Sequence, residues 1–162
     1  MHLLLLAALG AALNASAPSR LDSFVGNWSG SGKMNVGTPT ETSLAGINRC
    51  AWSEGKAFLI CQGSATIGGK LFRGLSIFSY DEAHQKYHFL NISQASANRT
   101  ELTVEGNTWT YSDTDTDKKG KTIYTRTLNI FDTPDRYRFI NQRSGDRVHW
   151  KTTGSGVSTR IP

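Results

Sequence analysis

The chain has 162 residues, 38% of them apolar and 19% charged. That leaves room for one folded domain with a substantial core and excludes a disordered polymer. The formal charge of +5 is uneven, because residues 118–162 carry ten Lys and Arg against three Asp. A basic end can attract anionic partners. No nucleic-acid motif accompanies it, so solvated strand faces are the simpler account and no nucleic-acid partner is expected.

The first element in chain order is Leu3 to Leu13, an unbroken apolar run followed by Asn14-Ala15-Ser16-Ala17. The run is too short to span a bilayer, which needs roughly 20 residues, but it has the length of a signal-peptide core. The small residues after it suit a signal peptidase, with cleavage after Ala15 or Ala17. Residues 1–17 are therefore expected to be a signal peptide. Residues 18–162 are then a single exported domain, periplasmic or secreted, with no transmembrane segment in the mature form.

Pro18 to Phe24 is expected to form a short helical turn. After it the pattern gives about ten strands: Asn27–Val36, Glu41–Trp52, Ala57–Thr66, Lys70–Tyr80, Lys86–Gln94, Glu101–Glu105, Asn107–Ser112, Lys121–Asp132, Arg136–Gln142 and Arg147–Thr153. Turn chemistry marks the junctions, as at Glu54-Gly55, Gly68-Gly69, Gly106-Asn107 and Thr133-Pro134-Asp135. Regular hairpins in this order predict an all-β fold, an antiparallel up-and-down barrel whose closure removes exposed edges.

Within that series the first strand alternates most cleanly. Trp28, Gly30, Gly32, Met34 and Val36 share one face, and Asn27, Ser29, Ser31, Lys33 and Asn35 the other. Later strands mix the two kinds of residue, as in Leu71-Arg73-Leu75-Ile77 against Phe72-Gly74-Ser76-Phe78-Tyr80. A mixed inner face points to a cavity rather than a solid core. The only cysteines, Cys50 and Cys61, flank a hairpin. A loop at Gly55-Lys56 makes them directly opposite and one at Glu54-Gly55 makes them diagonal. Both registers put them on one face, where an oxidising compartment would join them.

Gly26-Asn27-Trp28 resembles the G-x-W signature that opens lipocalins and their calycin relatives. The resemblance implies that Trp28 closes one end of the barrel, with Arg160 packed over it. The longer Gly26-x-Trp28-x-Gly30-x-Gly32 is similar to the opening of nitrobindin-like haem barrels and of an uncharacterised bacterial family of exported lipocalin-like domains. The latter also shares the Glu-Gly hairpin after a Trp, the Gly74 to Tyr80-Asp81 stretch and a late Trp. It implies the fold and leaves the activity open.

No catalytic constellation stands out in the sequence. Asp113-x-Asp115-x-Asp117 resembles the start of a calcium loop, but Lys118 and Tyr124 stand where Gly and Glu are needed. The segment is read instead as a polar hairpin tip. A haem reading would require an axial histidine on a late strand, and only His149 is placed there. If Val148 and Trp150 face inward, however, alternation turns His149 outward. No cofactor is otherwise expected. The residues with binding content are Met34, Tyr80, Phe89, Trp109, Tyr111, Tyr137, Phe139 and Trp150, as the wall of an apolar cavity with a few polar handles. The leading expectation is a noncatalytic barrel for a small hydrophobic or amphipathic molecule. The alternatives are a filled barrel serving as an envelope interaction module, and a haem protein. The oligomeric state is left open.

Overall fold

The computed structural model describes residues 17–94 and 96–162. The signal peptide expected from the apolar run therefore lies outside the described residues, except for Ala17. A short helix α1 (Ala17–Arg20) runs into a 3-10 turn (Leu21–Phe24). Ten strands follow: β1 (Gly26–Met34), β2 (Thr42–Trp52), β3 (Leu59–Ile67), β4 (Lys70–Asp81), β5 (Lys86–Ser93), β6 (Ala97–Glu105), β7 (Thr108–Thr116), β8 (Thr122–Thr133), β9 (Arg136–Ser144) and β10 (Lys151–Ile161). Each pairs antiparallel with its neighbour in sequence, and β1 pairs with β10 to close the ring. The all-β up-and-down barrel read from the sequence is the fold of the chain.

Most strand ends lie within two residues of the sequence expectation, and three strands depart from it by four or more. β6 starts at Ala97, β7 runs on through Asp113 and Asp115 to Thr116, and β10 is Lys151–Ile161 rather than Arg147–Thr153. The last shift has a local cause. Ser144 Oγ accepts from the backbone N–H of Asp146 and Arg147, and Asp146 Oδ1 accepts from those of Val148 and His149. These side chains take the donors that a strand would use, and Arg147 adopts φ 64°, so residues 145–150 form a loop. The true tenth strand, Ser155-Gly156-Val157-Ser158-Thr159, is short of bulky apolar residues and carries little strand signal.

One end of the barrel is packed solid. Leu21 and Phe24 of the 3-10 turn insert into it and are almost wholly buried with Leu59, Phe78, Leu102 and Trp109. The ring of Phe24 lies 5.3 Å from Phe78, 5.0 Å from Trp109 and 5.1 Å from Phe131. Trp52 Nε1 donates to Asp22 Oδ1 at 2.7 Å and ties the plug to β2. Trp28 is buried in the same end, where its Nε1 donates to the Phe24 carbonyl at 2.8 Å. Its partner in register is Arg160, whose guanidinium stands 4.5 Å from the ring centroid.

Cys50 and Cys61 are directly opposite in the β2–β3 ladder and joined by a disulfide, which selects the register centred on Gly55-Lys56. At the β1–β10 contact, Gly32 and Gly156 face one another. A Cβ on Gly156 would stand 2.2 Å from the Ser31 carbonyl oxygen and 2.4 Å from Phe139 Cζ. The strand must therefore be bare there for the Phe139 ring to lie over it.

Candidate functional site

Beyond the packed end the barrel is hollow. Two lobes of about 400 and 450 Å³ share the side chains of Asn48, Ser76, Asn91, Thr127, Asn129 and Tyr137. The space exists because inward positions there are small: Gly30, Gly46, Gly63 and Gly74 line the second lobe. Amide and hydroxyl side chains project into it beside apolar ones such as Leu44 and Phe139. Thr127 Oγ1 donates to Asn141 Oδ1 at 2.9 Å, and Asn141 Nδ2 approaches Met34 Sδ at 3.5 Å. Asn129 Nδ2 donates to the Tyr111 hydroxyl at 3.4 Å, and Ser76 Oγ to Asn91 Oδ1 at 3.4 Å. The last two contacts are long, so these amides keep hydrogen-bonding capacity that a ligand can take up. Burial pushes the pKa of the Tyr111 and Tyr137 phenols above the ordinary value. Both hydroxyls therefore stay protonated and present a donor at neutral pH.

The residues singled out from the sequence fall into three places. Phe89, Tyr111, Tyr137 and Phe139 line the cavity, and Met34 stands beside Asn141 near its mouth. Tyr80 and Trp109 belong to the packed end, where Tyr80 meets Tyr87 at 4.9 Å and Tyr87 meets Trp109 at 5.1 Å. Trp150 is outside the barrel. It lies in the 145–150 loop, donates to the Arg147 carbonyl and stacks under Arg126, 4.0 Å from ring centroid to guanidinium. The inward orientation expected for Val148 and Trp150 fails with the strand that carried it. Val148 is 73% exposed.

His149 is exposed on that loop, with Nδ1 2.7 Å from Asp146 Oδ2. It faces solvent on the outer wall and does not fit the axial position of an interior haem. His84 and His88 also sit outside, beside Asp81. The three Asp of the calcium-like motif cap backbone instead: Asp113 Oδ1 accepts from Thr114 N, Asp115 Oδ1 from Thr116 N, and Asp117 Oδ1 from Lys119 N and Lys121 N.

The cavity's four asparagines, Asn48, Asn91, Asn129 and Asn141, were not singled out from the sequence. A signal was there, since asparagine is depleted in strands and these stand mid-strand on β2, β5, β8 and β9.

The family model described as "Protein of unknown function (DUF1579)" matches residues 16–160, nearly the whole chain. The chain belongs to the DUF1579 family. No curated protein matches it. Among solved structures, this DUF1579 barrel is similar to the crystal structure of Rv2717c from M. tuberculosis, with 14% identity over 91% of this chain and 99% of that one and a TM-score of 0.60. It is likewise similar to the S-type phycobiliprotein lyase CPES from Guillardia theta, with 9% identity over 92% and 94% of the two chains and a TM-score of 0.62. At such identities the likeness is one of fold.

Proposed function

We propose that this chain is an exported, noncatalytic binding protein that holds a small amphipathic molecule inside the barrel. The observation that carries the reading is the asparagine-lined cavity. A barrel serving only as a scaffold is best filled with apolar side chains, whereas open amides and phenols fix the orientation of a guest. Apolar contact comes from Phe89 and Phe139, and polar handles from Asn48, Asn129 and Tyr137. The ligand is thus more polar than an aromatic wall alone would choose. The disulfide supports export, because such bonds persist in oxidising compartments. The cavity hydroxyls of Thr127 and Ser76 donate to the amides of Asn141 and Asn91 rather than to a general base, which supports binding over catalysis.

Native mass spectrometry of protein purified from its own host tests this. The expected result is a retained mass of a few hundred daltons that is lost on denaturation, on a chain with Cys50 and Cys61 bonded. Protein that never carries or takes up a small molecule from a host extract would favour the envelope interaction module instead, with a hollow rather than a filled barrel.

A further inference from the structure

The barrel wall is incompletely zipped between β6 and β7. β6 and β7 pair only from Glu101↔Ser112 to Glu105↔Thr108. Beyond that, Ala97–Thr100 continues to pair with β5 and Asp113–Thr116 with β8, but the two stretches make no ladder with each other. The N–H groups of Thr114 and Thr116 are those that would have reached β6. They are satisfied by the carboxylates of Asp113 and Asp115, both at 2.7 Å. Capping an edge donor from the preceding side chain removes the drive to close the seam. A cleft of about 430 Å³ lies in it, lined by Asn98, Arg99, Asp113, Thr114 and Thr125 among others. Asp113 and Thr125 also line the inner lobe, so the cleft adjoins the cavity through the wall.

We infer that the β6–β7 seam is the portal by which ligand enters and leaves the cavity. The inference rests on the reading of the cavity as a binding site and adds its route and a constraint on the ligand. An amide, a carboxylate, hydroxyls and a guanidinium line the passage, so it passes a water-soluble, hydrogen-bonding molecule rather than a lipid chain. The Asp-x-Asp pair keeps the seam open by occupying the β7 donors that would otherwise close it.

The test needs no ligand. A reporter thiol is placed in the cavity by Thr127→Cys, the Cys50–Cys61 disulfide being kept intact, and its reaction with sulfonatoethyl methanethiosulfonate is timed. One added variant, Asn98→Trp, obstructs the seam. Another, Thr42→Trp, obstructs the barrel mouth, where Thr42 opposes Met34. Thermal melts of both confirm folding. The expected result is labelling slowed at least tenfold by Asn98→Trp and less than twofold by Thr42→Trp. Slowing by Thr42→Trp alone, equal slowing by both, slowing by neither, or a thiol that reacts in no variant would overturn the portal. A portal that passes this test while native mass spectrometry finds no guest would leave the route intact and sink the binding function.

Discussion

Among single residues, Trp28 carries the most structure. Its ring is 2% exposed, its indole N–H is spent on the Phe24 carbonyl, and Arg160 covers its outer face. Arg160 is in turn held by Asp135 Oδ1 at 2.8 Å and by the Pro134 carbonyl at 2.9 Å. Trp28→Ala is expected to cost ~3–5 kcal/mol, the usual loss for a buried aromatic. Arg160→Ala should cost less, about 1–2 kcal/mol, from the lost cation–π contact and hydrogen bonds. Urea melts of both variants check the order, and a Trp28→Ala protein that melts like wild type would remove its closing role. A second residue-scale expectation concerns His149. The hydrogen bond to Asp146 raises the imidazole above its ordinary value, while Asp146 is held well below the usual carboxylate range, first by that same bond. A raised folded-state value means that the contact is fully present below the imidazole's ordinary value and is lost as pH rises through the raised one. NMR titration should show His149 titrating above ~6.5, and Asp146→Asn should bring it back. An unchanged His149 midpoint in Asp146→Asn would show that the pair is not coupled in solution.

Elements were legible where side chains alternate and less so where they are small. β1 was plain from Trp28-x-Gly30-x-Gly32-x-Met34, and its inward face is the one read from the sequence. β10 was misplaced because Thr, Gly and Ser carry no period, and its fit depends on Phe139 covering the bare Gly32–Gly156 contact. A methyl group at Gly156 has nowhere to go. Gly156→Ala is expected to destabilise by ~1–3 kcal/mol, the usual penalty for overpacking, in a denaturant titration. A melt equal to wild type would mean that the strands part more easily than their register indicates. The mixed face of β4 is explained by what each side meets. Phe78 packs into the plugged end, Gly74 and Ser76 leave room in the cavity, and Leu75 and Ile77 pair across the outer wall with Ile92 and Leu90. The β2–β3 hairpin adds a covalent tie between residues 11 apart in sequence. Replacing both cysteines by alanine should lower stability by ~2–3 kcal/mol in the chain-entropy view. Chemical denaturation of the double variant reads this, and a loss below 0.5 kcal/mol would mean that the hairpin stays closed without the bond.

At the scale of the whole molecule the barrel divides into a packed end and a hollow one with polar groups in its lining, and the mixed strand faces pointed to the cavity but not to where it begins. Aromatic residues announce a core or a wall without saying which. Tyr80 and Trp109 went to the plug, Phe89 and Tyr137 to the cavity, because the 3-10 turn fills one end and stops at Phe24. Where the plug stops is a three-dimensional fact that no strand pattern encodes. The asparagines carry the opposite lesson, since their cost in a strand marks them as kept for something other than stability. That view can be tested on the entire fold. Asn48→Leu combined with Asn129→Leu keeps the branched four-atom shape of each side chain and replaces two cavity amides by bulkier aliphatic groups that the hollow can take. If the amides serve a guest, an apolar interior should be the more stable one, with each kcal/mol gained raising Tm by about 2–4 °C for a domain of this size. The same variant should lose any molecule retained through purification. Scanning calorimetry and native mass spectrometry on one preparation read both effects. A lower Tm with the guest still bound would show that the amides brace one another and that the ligand is held elsewhere.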